Sequence, residues 1–579
     1  MASDFESKSK QLGAAEWNRR DFIKRVGGGG AGLVLGAGLF EFLMACATST
    51  SQTPTNLTPK RGGHLVEGAA SDLGSGMNPV VNNVTFDAHV QRLMFASLVT
   101  NTANGDLIPD LASALPKISS DGMTYTFTLR DGLKWSDGHP LTAEDAVFTF
   151  QTIFAPEYKT INSPYRSDLS SFLDSVSAPD PKTVVFKLKR PQVSFTAIYG
   201  RQMLVPKHIL GSVSAQEFNS GSFNRGPSVT SGLFKFVEWV PGSRITLARN
   251  DNYWAGPTLL DGYVYKVVAN ESLKVQQLQT GEMDFGRITT GSTVAAIKAI
   301  PTVDVFSYET ANGVAYVHQL DPAKPISKIF SDKQVRKALY TALDLKGMNQ
   351  VYLGYGKVAD TNWPYLSWAH NPAPKVKYTY DPQKAGQMLD AAGWVKGANG
   401  VRAKSGQEMR WELLTSASSK EWQNAAQVMQ QNWKAIGVEI TVKALEFGQL
   451  NQVTIRDRNF EMSMAGAWFV ANLDPDASNT WHSKNAGKGG GNAAPYINPA
   501  VDSLLDQAAQ VSDQSKRKPL YAQIQDILMD DLPTPPMVLQ PGFFAVNKRI
   551  HGMGPNEIGY FTASSPRPFM NKVWVSSGS

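Results

Sequence analysis

Two apolar periods alternate along most of this 579-residue chain, and that alternation limits what it can fold into. A strand turns every second side chain to one face, a helix every third or fourth. Thr124 to Leu129 sets Tyr125, Phe127 and Leu129 on one side, and Thr183–Leu188, Ile245–Ala248 and Tyr263–Val268 read as further strands. Helical stripes lie between them. Val147, Phe150 and Phe154 follow Thr142-Ala143-Glu144-Asp145, a capping box with Asp in place of Glu. Val335, Leu339, Ala342 and Leu343 follow the N-cap Asp332, and Ala385, Met388, Leu389 and Ala392 run from Asp381-Pro382 to Gly393. Trp422, Ala426, Met429, Trp433 and Ile436 form a core-facing stripe closed by Gly437. Val438, Ile440, Val442 and Ala444 then alternate as a strand, and Asn498-Pro499 opens a helix with Val501, Leu504, Leu505 and Ala508 inward. Strands alternating with helices predict an α/β fold, its sheets covered by helices. The length predicts two large lobes or about three domains.

Composition narrows the function classes. Hydrophobic residues at 42% and aromatics at 10% exclude a disordered chain. The net charge of +6 is spread without a Lys/Arg run, which argues against a nucleic-acid partner. The only cysteine, Cys46, excludes an intrachain disulfide and a multi-cysteine zinc site. The eight histidines form no His-Glu-x-x-His, and no Gly-x-Ser-x-Gly elbow occurs. Asp474 and Asp476 flank Pro475 and read as turn residues rather than a catalytic carboxylate pair. Gly27–Gly32 matches Gly-x-Gly-x-x-Gly without a strand before it, and Gly487–Gly491 lacks the strand and helix of a phosphate loop. The sequence is read as non-enzymatic, with no cofactor and no metal; an extracellular hydrolase is the alternative from another class.

The first 60 residues read as an address and a tether. Arg19-Arg20 precede Val26–Ala45, a short apolar stretch holding seven glycines and Glu41, a poor membrane span but the pattern of a twin-arginine export signal (1–45). Leu43-Met44-Ala45-Cys46 resembles the bacterial lipoprotein cleavage box. That resemblance makes Cys46 the lipidated first residue, anchored to the membrane by several acyl chains. Residues 46–61, rich in Ser, Thr and Pro, are a linker.

From Phe127 to Asp145 the chain reads FTLRDGLKWSDGHPLTAED. Further blocks follow: Ser231-Gly232-Leu233-Phe234-Lys235, Arg249-Asn250-Asp251-Asn252-Tyr253-Trp254, Gly281-Glu282-Met283-Asp284, Phe330–Leu339, Tyr380–Ala385 with Ala391–Trp394, and Tyr496–Asp502. In this order they resemble the family 5 extracellular solute-binding proteins, the oligopeptide, dipeptide and nickel-type receptors of ATP-binding-cassette importers. The resemblance covers residues 62–555.

It implies a two-lobed, hinged α/β fold of the periplasmic-binding-protein kind (type II-like), with an extra domain inserted in lobe one. By match, lobe one is 62–101, 226–312 and 546–579, the insert is 102–225 and lobe two is 313–545, with hinge crossings near 312 and 546. The receptor is a monomer that encloses its solute and hands it to a permease whose ATPase is a separate subunit; this chain has no Gly-x-x-x-x-Gly-Lys-Ser/Thr. Gly466–Pro475 resembles the ligand-contact loop of lobe two, with Trp468 and Phe469 as side-chain walls beside Asn472. Where peptide receptors carry an aspartate for the α-ammonium, this chain has Ala471. Asn83, Val84 and Thr85 match the contact segment of lobe one, and Tyr316 another contact position. Trp363, Trp368 and Trp481 sit in loop-like context, where rings can stack on a solute. The reading is an oligopeptide-like elongated solute, with an oligosaccharide as the alternative on the same fold.

Overall fold

The computed structural model describes residues 58–74, 76–81, 85–102, 106–288, 291–465, 475–511, 513–555 and 567–576. The proposed signal, Cys46, Asn83, Val84, Trp468, Phe469, Ala471 and Asn472 lie outside the described residues, as does the side chain of Thr85.

Ten strands build the main sheet: β1 (His64–Ala69), β2 (Phe234–Val240), β3 (Arg244–Arg249), β4 (Gly262–Val267), β5 (Phe285–Ile288), β6 (Val303–His318), β7 (Arg410–Ser416), β8 (Glu439–Leu445), β9 (Met462–Ala465) and β10 (Pro536–Asn547). Their order is β8-β7-β9-β6-β10-β5-β1-β4-β3-β2, and the short strand Lys357–Val358 adds to β10. Parallel pairs (β1 with β4 and β5; β7 with β8 and β9) sit on either side of one long antiparallel pair, β6 and β10. Among the described strands that pair alone joins the two halves of the sheet, so the fold has two lobes. β10 pairs with β5 through Phe543–Val546, while β6 pairs with β9 through Ala315–His318. The return crossing therefore falls near Gln540 rather than 546, because Phe543–Val546 already hydrogen-bond into the first lobe.

Four apolar clusters cover this sheet. In β6, Val314 and Tyr316 enter one cluster with Trp433 and Leu339, while Ala315 and Val317 enter another with Tyr521 and Leu528. Alternate residues reach opposite faces and both faces are covered, so the strand reads as a continuous apolar run. In the first lobe, Leu65 and Tyr263 share a cluster with Phe127, Phe150 and Phe186, and Met283, Val294, Ile297 and Phe543 fill the other face. Phe127 and Phe186 come from a separate four-stranded antiparallel sheet, Lys117–Ile118, Thr124–Thr128, Thr183–Leu188 and Leu173–Asp180 in that spatial order, covered by the helix Ala143–Phe154. The matched insert thus shares its core with the lobe it interrupts.

The helix signals read from sequence hold. Asp381 accepts from the Lys384 N–H at 2.8 Å ahead of the helix Pro382–Ala391, and Gly393 takes φ +82° behind it. Asp145 accepts from the Thr142 N–H at 2.9 Å, closing the Asp version of the capping box. Asn498 accepts from Ala500 and Val501 at the start of the helix Pro499–Gln510.

Candidate functional site

The motif blocks turn out to be joints. Ser136 and Thr230 exchange hydrogen bonds (Ser136 N–H to Thr230 O, 2.8 Å; Thr230 N–H to Ser136 Oγ, 3.0 Å), and the Asn252 amide donates to the carbonyls of Trp135 and Ser136. Trp135 is wholly buried. Arg130 lies 4.0 Å from the Trp254 ring centroid, and the Trp254 indole donates to Asp110 at 3.0 Å. Arg336 donates to the carbonyls of Asp531, Phe330 and Ser331, closing helix ends that would otherwise lack partners. These residues position a site; they do not line one.

The site begins where the two lobes join. β6 and β10 pair regularly from Val303↔Asn547 to Glu309↔Pro541, slip, and resume at Gly313↔Leu539. At the slip the Thr310 hydroxyl donates to the Gln540 carbonyl at 2.7 Å and accepts from the Asn312 N–H at 3.2 Å. Gly542 lies under the Tyr308 ring: a Cβ there would come 2.0 Å from a ring carbon. Such a break concentrates bending in a few residues.

Beside it is a cavity of about 460 Å³, within the range of small-ligand sites. β6 contributes Asn312 and Gly313, β10 contributes Gln540, and β9 contributes Met464 and Ala465. Trp422 enters from the first turn of the helix Lys420–Ala435. The outer wall is the helix Phe447–Asn451, which continues into a π-helical turn, Gln452–Arg456, and supplies Phe447, Leu450, Asn451, Thr454 and Ile455. Phe447 is 55% exposed. Among the described residues no charged side chain lines the cavity. A larger hollow of about 540 Å³, bounded by Ser220, Gly221, Ser222, Arg225, Gly226 and Phe236, lies in the first lobe away from the break. It offers mostly backbone and small side chains, and little wall for a ligand.

Several expected contact residues are elsewhere. Tyr316 is completely buried, its ring 5.5 Å from Trp433 and 5.1 Å from His318. Trp363 and Trp481 are each only 1% exposed, in the cluster that covers one face of the second lobe's sheet with Tyr521 and Leu528. Loop tryptophans here seal a sheet face, because its apolar area needs cover and nearby helices leave gaps. None of the three offers a ring to a solute in this structure. Trp368 also packs on Tyr521, with centroids 5.8 Å apart. Trp422 does both: it packs against the core clusters on either face of the second lobe's sheet, as its stripe predicts, and three residues past the N-cap Ser419 it also borders the cavity. Phe447, Leu450 and Ile455 also escaped the sequence reading. Their apolar spacing inside a run of Gln, Asn and Thr was the available signal.

On the opposite lobe, Glu67 of β1 is buried against the Tyr263 hydroxyl and His89 Nε2 (3.0 Å). Burial pushes its carboxyl up, but His89 and Tyr263 more than offset this and hold it below the usual carboxylate range. The cluster ties the helix Thr85–Met94, which starts at the matched contact segment, to the sheet.

A family model for bacterial extracellular solute-binding proteins, family 5 (Middle), matches residues 106–490. The oligopeptide-binding protein AppA of Bacillus subtilis is 30% identical over 507 residues, 85% of this chain and 90% of AppA. Heme-binding protein A of Haemophilus influenzae is 27% identical over 515 residues, 85% of this chain and 90% of that protein. The structure of Bacillus subtilis AppA in complex with a nonapeptide covers 90% of this chain and 100% of its own, at 27% identity and a TM-score of 0.70. On this match, and on the two lobes meeting at a single strand pair, the chain belongs to the bacterial extracellular solute-binding proteins of family 5.

Proposed function

We propose that this chain is the substrate-binding lipoprotein of an ATP-binding-cassette importer, one that captures an oligopeptide-like elongated solute between its lobes and delivers it, chemically unchanged, to a permease. The observation that carries the reading is the aromatic and amide-lined cavity set against the register break of β6 and β10. A solute lying there touches Asn312 and Gln540, which flank the break in the strand pair that carries the backbone between lobes, so contact and closure are coupled. Lobe one is then 62–101, 226–312 and 541–579 with the insert 102–225, lobe two is 313–540, and the hinge is Thr310–Gly313 with Gln540. The similarity to AppA, named for oligopeptide binding, supports the peptide class. Residues 1–45 act as a twin-arginine signal, and Cys46 carries the lipid anchor outside the cytoplasmic membrane. Trp468, Phe469, Ala471, Asn472, Asn83, Val84 and Thr85 complete the contact set.

The lining also favours a second reading, an oligosaccharide receptor. Trp422 and Phe447 supply aromatic walls, the amides supply directional hydrogen bonds, and the family's ammonium-binding aspartate is replaced by Ala471. A thermal-shift screen separates the two, with di- to nonapeptides against β-linked oligosaccharides. A ligand at one hundred times its Kd adds about 2.7 kcal/mol of stability. Stabilisation by peptides supports the first reading, and a response to sugars alone overturns it.

A further inference from the structure

We infer that the cavity at the lobe junction is a selectivity subsite for one uncharged, bulky apolar side chain of the bound peptide, leucine- or phenylalanine-like, and that it rejects lysine and glutamate. The inference rests on the peptide reading above and adds which residue is chosen and by what.

The walls decide it. Trp422, Phe447, Leu450, Ile455 and Met464 present apolar surface, and Met464 is a pliable floor that can fit branched or flat groups. A charged group entering would shed its hydration shell with no counter-charge among the described lining residues, so it is excluded. The rim is different in kind. Asn312, Asn451 and Gln540 place amides at the mouth, and among the described residues these side chains make no hydrogen bond within the protein. Amides present both donors and acceptors, the complement of a peptide main chain passing over an opening while its side chain drops in. The outer wall leaves regular α-helical geometry at Gln452–Arg456, the kind of local π-turn that re-aims side chains at functional sites.

The test is calorimetry with octapeptides of an alanine–serine host carrying Phe, Leu, Ala, Lys or Glu as guest at an interior position. Phe and Leu are expected to bind roughly 10- to 100-fold tighter than Ala, the yield of burying one large apolar side chain, and Lys and Glu no tighter than Ala. Phe447→Ala, at an exposed position where folding is not at stake, and Trp422→Ala should erase the Phe and Leu gain, bringing both peptides to the affinity that the same variant shows for the Ala peptide. Ile455→Asp should bring the Lys peptide above Ala. Equal affinity across guests, or a variant that weakens all peptides alike, overturns the subsite while leaving the peptide reading standing. Binding of sugars and of no peptide overturns both. As a probe that needs no peptide register, N-acetyl-phenylalaninamide should give saturation-transfer NMR signals that N-acetyl-lysinamide lacks and that Phe447→Ala abolishes; no such difference also overturns the subsite.

Discussion

His318 should make this protein acid-labile in a way that one substitution removes. It ends β6, fully buried between Tyr316 and Phe330, with ring centroids 5.1 and 4.9 Å away. Nδ1 donates to the Leu532 carbonyl at 3.0 Å, and Nε2 is buried with no partner among the described residues. Burial, with the nearby Arg336 charge adding to it, pushes the imidazole down from 6.5 to about 3. Between those values the unfolded chain binds a proton that the folded chain refuses, so stability falls as pH drops through 6.5 and stops falling near 3. From pH 7 to pH 4 the loss integrates to about 3 kcal/mol, at 1.36 kcal/mol per unit. Other groups titrate over the same range, so the quantity to measure is a difference. His318→Gln removes the titration whatever it costs in packing. Urea unfolding of both proteins at pH 7, 6, 5 and 4, followed by tryptophan fluorescence, should show wild-type stability falling about 3 kcal/mol further than the variant's. Parallel profiles would refute the argument, because they would mean that His318 takes up its proton in the folded state.

Gly542→Ala should cost about 1–3 kcal/mol by overpacking against Tyr308, and Tyr308→Ala should restore most of it in a double-mutant cycle read by thermal denaturation. Arg336→Lys keeps the charge but cannot reach three carbonyls in a fixed fork. A loss of about 2–4 kcal/mol in chemical denaturation is expected, with no change in peptide affinity for the protein that remains folded. Cys46→Ser should move the protein from the membrane pellet to the soluble extracytoplasmic fraction, and a lysine pair in place of Arg19-Arg20 should retain it in the cytoplasm; unchanged fractionation in either case defeats the proposed signal.

What the sequence made legible follows a physical line. Caps and stripes are local: Asp381, Asp145 and Asn498 each satisfy amides two or three residues away, so their helices could be placed from spacing alone. The strand pair joining the lobes was not visible that way. β6 is buried on both faces only from Gly313 to His318, and β10 on either side of Gln540-Pro541, so these stretches carry no alternation, and the location near 312 came from the family resemblance, which put the return crossing too far along. The tryptophans show the limit most sharply. A helix stripe says which face a residue occupies but not where the core beneath it ends, so the stripe places Trp422 against the core, where it packs, without showing that it also borders the cavity. A loop says nothing of what the loop covers, so Trp363 and Trp481 were placed outward and are sealed inside. Both limits concern long-range packing, and they lead to one consequence for the site. The aromatic wall of the cavity is carried by helices of the second lobe, Trp422 and Phe447, next to the register break between β6 and β10. Selectivity and closure then share residues, and a substitution at Asn312 or Gln540 should alter the extent of closure, read by lobe-to-lobe energy transfer, together with affinity. An affinity change with full closure retained would separate the two and break that link.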